Sequence, residues 1–201
     1  LNNDTIVHDN VFDTIIHYMD SNPKVGALSP KLLNPNGSLQ NQGSFLNAWR
    51  FKSDTPIKVP FICGAAMFTR TSLLLEIGGL DDNLFFYNDD IDYCKAVQKK
   101  GSEIHYLPLV MVTHLGGLST QTRKAGSIID GYRGSAYLCK KFYPLPIYYL
   151  YRVLVMLDLI PRLIIYATLT LFKKEYKDAL FAYFTVTQNM ICGKILPERE
   201  G

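Results

Sequence analysis

The sequence predicts an α/β domain followed by a helical, basic and apolar region. Two observations carry this. Over residues 1–120, short apolar runs of strand character alternate with stretches of helical period, separated by Gly, Pro, Asn and Asp. Beyond residue 120 the charge balance inverts. Residues 1–119 hold 9 Lys/Arg and 12 Asp/Glu, net −3, whereas residues 120–201 hold 12 and 6, net +6.

In chain order, LNNDTIV (residues 1–7) reads as a strand end and turn. A helix comes next, with Val11, Ile15, Ile16 and Met19 on one face and Asn22-Pro23 ending it. KVGALSPKLL is a strand and NPNGS a turn. Residues 40–58 are polar and are expected to form an irregular surface loop. VPFICGAAMFTR (residues 59–70) is expected to be a buried strand broken at Cys63-Gly64. Thr71 or Ser72 is the expected cap of the helix SLLLEIG, which stops at Gly78-Gly79. A helix over 89–100 starts with aspartates, ends with lysines and terminates at Gly101. EIHYLPLVMVTHL is a strand in which Pro108 marks an edge or a bend. Residues 127–143 form another helix, and Pro144 and Pro146 punctuate the chain just after it.

The 201 residues suffice for one domain with a core plus an appendage. With 48% hydrophobic and 19% charged residues, the chain is neither disordered nor typical of a polytopic membrane protein. Cys63, Cys94, Cys139 and Cys192 are scattered without metal-binding spacing and read as reduced, mostly buried thiols. No nucleic-acid-binding motif is present, and a basic, apolar tail points to an anionic membrane surface instead.

The chemistry concentrates in GGLDDNLFFYNDDIDYCKAVQKKG, residues 78–101. Asp82, Asp89, Asp90 and Asp92 stand beside Phe85-Phe86-Tyr87. A helix start alone explains one or two such carboxylates through the macrodipole. The adjacent apolar run adds a setting that perturbs acid–base groups, which makes Asp90 the candidate base and Asp92 a helix brace. His114 ends a strand-like segment and is followed by Gly116-Gly117. By itself such a histidine is more often structural, yet imidazole plus carboxylate forms a plausible Mg or Mn ligand set. Asn2-Asn3-Asp4 alone signals a turn. Of the cations beyond His114, Lys124 reads as surface charge, and Arg123 and Arg133 are candidates for contact with a diphosphate or lipid phosphate.

LNNDTIV, NPKVGALSPKLLNPNGSLQ, CGAAMFTR, EIGGLDDNLFFYNDDIDYCKAVQKKG and IHYLPLVMVTHLGGLST occur in this order through residues 1–120. This ordered set resembles the second half of family 2 glycosyltransferases, in particular a rhamnosyltransferase-like branch that builds bacterial surface polysaccharides. The resemblance implies a GT-A fold, truncated at its N-terminus and carrying a C-terminal helical appendage. It implies an acceptor- and metal-side half over residues 1–125 and a helical region over 126–201. Inverting transfer of a sugar from a nucleotide-diphosphate donor to a saccharide or lipid-linked acceptor is implied too, with Mg2+ or Mn2+ as cofactor. By position, Asn2 and Asp4 stand at the donor-binding DxD-like motif, and Asp4 and His114 would hold the metal. Asp89-Asp90 stands at the Glu-Asp motif, with Asp90 as base and Asp89 as its support. Cys63, Gly64 and Ala65 stand where the family shapes the acceptor pocket.

The family's N-terminal half, with most nucleotide contacts, is expected to be missing, so the chain alone is expected to be inactive. A non-catalytic remnant that binds acceptor or membrane is the alternative. In the tail, Arg152, Asp158, Pro161 and Arg162 interrupt residues 147–172, leaving Leu163–Phe172 as the longest uncharged piece. That is short of the ~20 residues of a spanning helix. The tail either packs as core helices against the catalytic domain or, the favoured reading, lies peripherally at the inner face of the cell membrane, in the cytoplasm, where Tyr148, Tyr149, Tyr151, Arg152, Arg162, Lys173, Lys174 and Lys177 flank its apolar faces.

Overall fold

The computed structural model describes residues 1–44, 47–84, 87–116 and 123–194. It divides into two compact units, residues 1–81 with 89–118, and residues 82–88 with 119–201.

The first unit contains β1 (Thr5–Val7), α1 (Val11–Ser21), β2 (Val25–Leu33), β3 (Ile57–Lys58), β4 (Phe68–Thr69), α2 (Thr71–Ile77), α3 (Asp89–Lys99) and β5 (Glu103–His114). The sheet runs β1-β5-β2-β4, and β3 also pairs with β5. The β2–β5 pair is parallel and the others are antiparallel. β2 is buried along most of its length, as a strand with helices on both faces must be. On one face Val11, Ile15 and Met19 of α1 pack with Leu28, Leu32, Leu107 and Val112. On the other, Leu73 of α2 and Tyr93, Cys94 and Val97 of α3 pack with Ala27, Ile104 and Tyr106.

Pro108 marks a bend rather than an edge. The β2–β5 register passes from Pro30↔Leu107 to Lys31↔Met111, so β5 carries extra residues there. Side-chain parity changes across this irregularity. Ile104 and Tyr106 join the α3-side cluster, whereas Val110 and Val112 join the α1-side cluster. His114, two residues beyond Val112, inherits the shifted parity.

Three sequence expectations change. Residues 59–70 do not form a broken strand. Only Phe68–Thr69 joins the sheet, and Gly64–Ala66 is a 3-10 turn. Pro60 lacks an N–H for a ladder, and the amide of Gly64 donates to Asp90 instead. The loop over 40–58 is not wholly superficial. Phe51 is fully buried with its ring edge-on to Tyr106 at 5.2 Å, and β3 pairs with β5. Neither Thr71 nor Ser72 caps α2. Arg70 occupies the cap position without a side-chain cap bond, and its guanidinium donates to the Val25 carbonyl. Gly78 closes α2 in the left-handed region at φ 88°, as its position predicts.

The second unit is built on α4 (Lys124–Phe142), α5 (Leu145–Phe172) and α6 (Lys177–Cys192). Ala136, Tyr148, Val155, Leu159, Tyr183, Val186 and Met190 form its core. α5 runs unbroken for 28 residues through every interruption seen in the sequence. The charges are accommodated inside the unit. Arg162 makes two hydrogen bonds to Asp158 one turn earlier, at 2.8 and 3.0 Å, and Arg152 donates to the carbonyls of Met190 and Ile191. By length and composition α5 could cross a membrane, and only 11% of its most apolar window is buried. Leu157, Ile160 and Ile164 are more than half exposed.

Candidate active site

Asp4 directly precedes β1, and β1 pairs with the end of β5 so that Thr5 lies opposite His114. This register brings Asp4 Oδ1 to 3.2 Å from His114 Nε2, and the Leu115 amide donates to the Asp4 carbonyl at 2.9 Å. Both side chains are largely shielded from solvent.

The other ring nitrogen of His114 fixes its tautomer. Asn34 Nδ2 donates to the Leu39 carbonyl, so Asn34 Oδ1 is an acceptor. Gln40 Nε2 donates to that oxygen at 3.2 Å, which turns Gln40 Oε1 toward His114 Nδ1 at 2.9 Å. Nδ1 therefore carries the proton, and in the neutral ring Nε2 turns a lone pair toward the Asp4 carboxylate. Two acceptors 3.2 Å apart are favourable only with a proton or a cation between them.

Asp90 lies in the first turn of α3 and accepts hydrogen bonds from the Gly64 amide at 3.0 Å and the Ile91 amide at 2.8 Å. Burial pushes its carboxyl above the ordinary carboxylate range, and the charge of Asp89 adds to the rise. The Gly64 and Ile91 amides oppose the shift without cancelling it. A Cβ at position 64 would lie 3.4 Å from that of Asp90, in van der Waals contact, so a methyl group fits here and a larger side chain would press on the carboxylate. Burial also raises the Cys63 thiol, which keeps it protonated and a poor nucleophile. Asp92 is buried within the same helix turn.

A backbone bond joins the two halves of this constellation: the Asn2 amide donates to the Ala65 carbonyl at 2.9 Å. Residues 2–4, 63–65, 89–90 and 114 thus form one connected set in the first unit. Gln40 and Asn34 went unrecognised by sequence reasoning, which placed them in a loop and a turn. Their signal was the NPNGSLQ segment itself. Phe85, Phe86 and Gly117, singled out from the sequence, lie outside the described residues. Beyond the histidine, Arg123 pairs with Asp130 at 3.2 Å within the second unit.

Among the described residues no three His, Cys, Asp or Glu side chains cluster as a metal site. The Asp4–His114 pair offers two protein donors. That suits a Mg2+ or Mn2+ ion, which takes few protein ligands and completes its shell with substrate phosphates and water.

The family model for "Glycosyltransferase like family 2" matches residues 1–133. The chain belongs to that family. The matched region holds the whole constellation and the mixed α/β sheet, and it ends within α4. Among solved structures, 46 chains match. One is the crystal structure of GalNAc-T7 with UDP, GalNAc and Mn2+, at 14% identity and a TM-score of 0.44, over 65% of this chain. The chain spans 29% of that protein's length. A search of curated proteins gives no match. Family membership gives this α/β unit a GT-A-like glycosyltransferase fold.

Proposed function

We propose that this glycosyltransferase inverts the anomeric centre as it moves a sugar, rhamnose in our reading, from a nucleotide-diphosphate donor to a saccharide or lipid-linked acceptor of a bacterial surface polysaccharide or cell wall. Asp90 is the general base. It takes the proton of the acceptor hydroxyl as that oxygen attacks the anomeric carbon from the face opposite the leaving diphosphate. The bond to the diphosphate breaks as the new glycosidic bond forms, so a single displacement inverts the configuration. The supporting observation is the setting of Asp90: buried, with a raised pKa, and held by the Gly64 amide. Asp89 reinforces that shift by its charge. Asn2 and Asp4 face the donor diphosphate, and Cys63, Gly64 and Ala65 border the acceptor.

Asp4 and His114 would hold Mg2+ or Mn2+, and such a cation supplies positive charge to the departing diphosphate. The chain's own part is to keep the His114 tautomer fixed through Gln40 and to keep Asp4 in register with β5. We place the enzyme at the inner face of the cell membrane, with the exposed apolar face of α5 in the interface and Lys173, Lys174 and Lys177 at its basic end. Asp90→Asn, in a chain that also carries a donor-binding half, tests the reading: transfer is lost while donor binding persists.

A further inference from the structure

The second unit carries a cavity, open to solvent, of about 1000 Å³, at the upper end of the ~300–1,000 Å³ usual for ligand sites. Six of its lining residues are tyrosines, contributed by the 82–88 segment, by α4, α5 and α6, and by the turn before α6. The rings are ordered against one another. Tyr166 meets Tyr183 at 5.0 Å and Tyr176 at 5.9 Å, and the Arg162 guanidinium lies over Tyr183 at 5.8 Å.

The charge inside this cavity is balanced. Arg162 is held in two hydrogen bonds by Asp158, and the remaining charged lining residues, Lys124 and Glu175, have opposite signs. Such a wall gives a phosphate or nucleotide no net attraction. Phenols of this wall are already partnered within the unit, Tyr132 donating to Asp158 at 2.8 Å, but an alkyl or prenyl chain would offer nothing to a buried hydroxyl that lacks a partner. One such group is present already: Ser127 lines the cavity, is 6% exposed, and its Oγ has no hydrogen-bond partner. Broad aromatic faces edged by hydroxyls suit a pyranose ring, which offers an apolar C–H face and a polar rim. Tyr87 and Asn88, which also line the cavity, both have φ of 67°, a costly left-handed conformation for residues with side chains. Asn88 is pinned there by bonds to the Gly131 carbonyl and Ser135, and the chain passes from it straight into Asp89 and Asp90.

We infer that this cavity is a saccharide-binding site that takes a neutral sugar segment of the acceptor. Its role toward the acceptor rests on the glycosyl transfer proposed above; binding of a neutral sugar does not.

Gly131 provides the test. It lines the cavity, and a Cβ there meets only Tyr87, at 3.9 Å. Gly131→Leu therefore fills the space while raising the helix propensity of α4. The probe is a mixture of neutral methyl glycosides of gluco, galacto, manno and rhamno configuration, observed by saturation-transfer NMR on the 201-residue chain. At least one glycoside should receive saturation at its ring protons. Gly131→Leu should weaken that binding by about tenfold or more. Tyr176→Ala, in the turn before α6, should weaken it as well and covers the case in which the leucine variant does not fold. Asp90→Asn should bind as the wild type does, so a failed base assignment leaves this result standing. No saturation transfer to any glycoside at millimolar concentration, or undiminished binding in Gly131→Leu and Tyr176→Ala, overturns the inference. So does farnesyl phosphate binding that these variants abolish while no glycoside binds, since the cavity would then serve a prenyl chain.

Discussion

Gln40 Oε1 accepts from His114 Nδ1 at 2.9 Å, and the Asn34 side chain fixes the direction of that bond. The consequence appears on the far side of the ring, where Nε2 faces Asp4 Oδ1. A residue from a loop after β2 thereby sets the donor character of a histidine at the end of β5.

Gln40→Leu should therefore weaken Mn2+ binding about 10- to 100-fold, the usual cost of removing an outer-shell partner of a ligating histidine. Titration followed by electron paramagnetic resonance reads this directly, with thermal unfolding as the folding control. Equal Mn2+ affinity in the variant would remove Gln40 from the site.

A Cβ at position 64 would already touch that of Asp90 at 3.4 Å, so a branched side chain there presses on the carboxylate. Gly64→Val should displace the Asp90 carboxylate and lower kcat about 10²-fold, the order of loss expected when a reacting group moves by ~1 Å. Gly64→Ala, whose methyl fits in ordinary contact, should stay close to wild type. A valine variant with unchanged kcat would show that the amide contact does not position the base.

The raised pKa of Asp90 has a stability consequence. Because burial disfavours the charged form, the contribution of this group is favourable below its unfolded pKa of ~3.9 and is lost as pH rises through the higher folded value. At pH 7 the ionised carboxylate is a cost, so Asp90→Asn should raise Tm there. The gain should shrink as pH falls through the raised folded value and be gone below the unfolded pKa of ~3.9. A lower Tm for the variant at pH 7 would contradict the burial argument.

Much of the first unit was legible. The helical period of residues 11–21, the Gly78 stop and the aspartate start of α3 are local signals, and each element stands where its own residues put it. The ordered motifs also marked Asp4, Asp90 and His114; the sheet register joins Asp4 to His114, and the backbone of residues 64–65 links Asp90 to Asn2. What could not be read depends on partners distant in sequence. The 3-10 turn at Gly64 exists in place of a strand because its amide serves Asp90, 26 residues away. Likewise, Arg162 reads as an interruption of an apolar run until Asp158 is seen one turn before it. The tyrosine cavity carries no local signature, because its rings come from several elements of the second unit.

The exposed face of α5 leads to a physical test of the proposed location. The chain should float with anionic phosphatidylglycerol vesicles at low salt. Replacing Lys173, Lys174 and Lys177 with glutamate should reduce the bound fraction, since each lysine near such a surface contributes about 1 kcal/mol. A chain that stays at the bottom of the gradient would rule out the interfacial reading.

The most direct test of the central claim is single-turnover sugar transfer by the Asp90→Asn variant in a chain that carries a donor-binding half, with donor affinity measured on the same protein. A base contributes ~10²–10⁴-fold, so transfer should fall by that order while donor affinity stays within a few-fold of wild type. Turnover at the wild-type rate would contradict the assignment of Asp90 as the base.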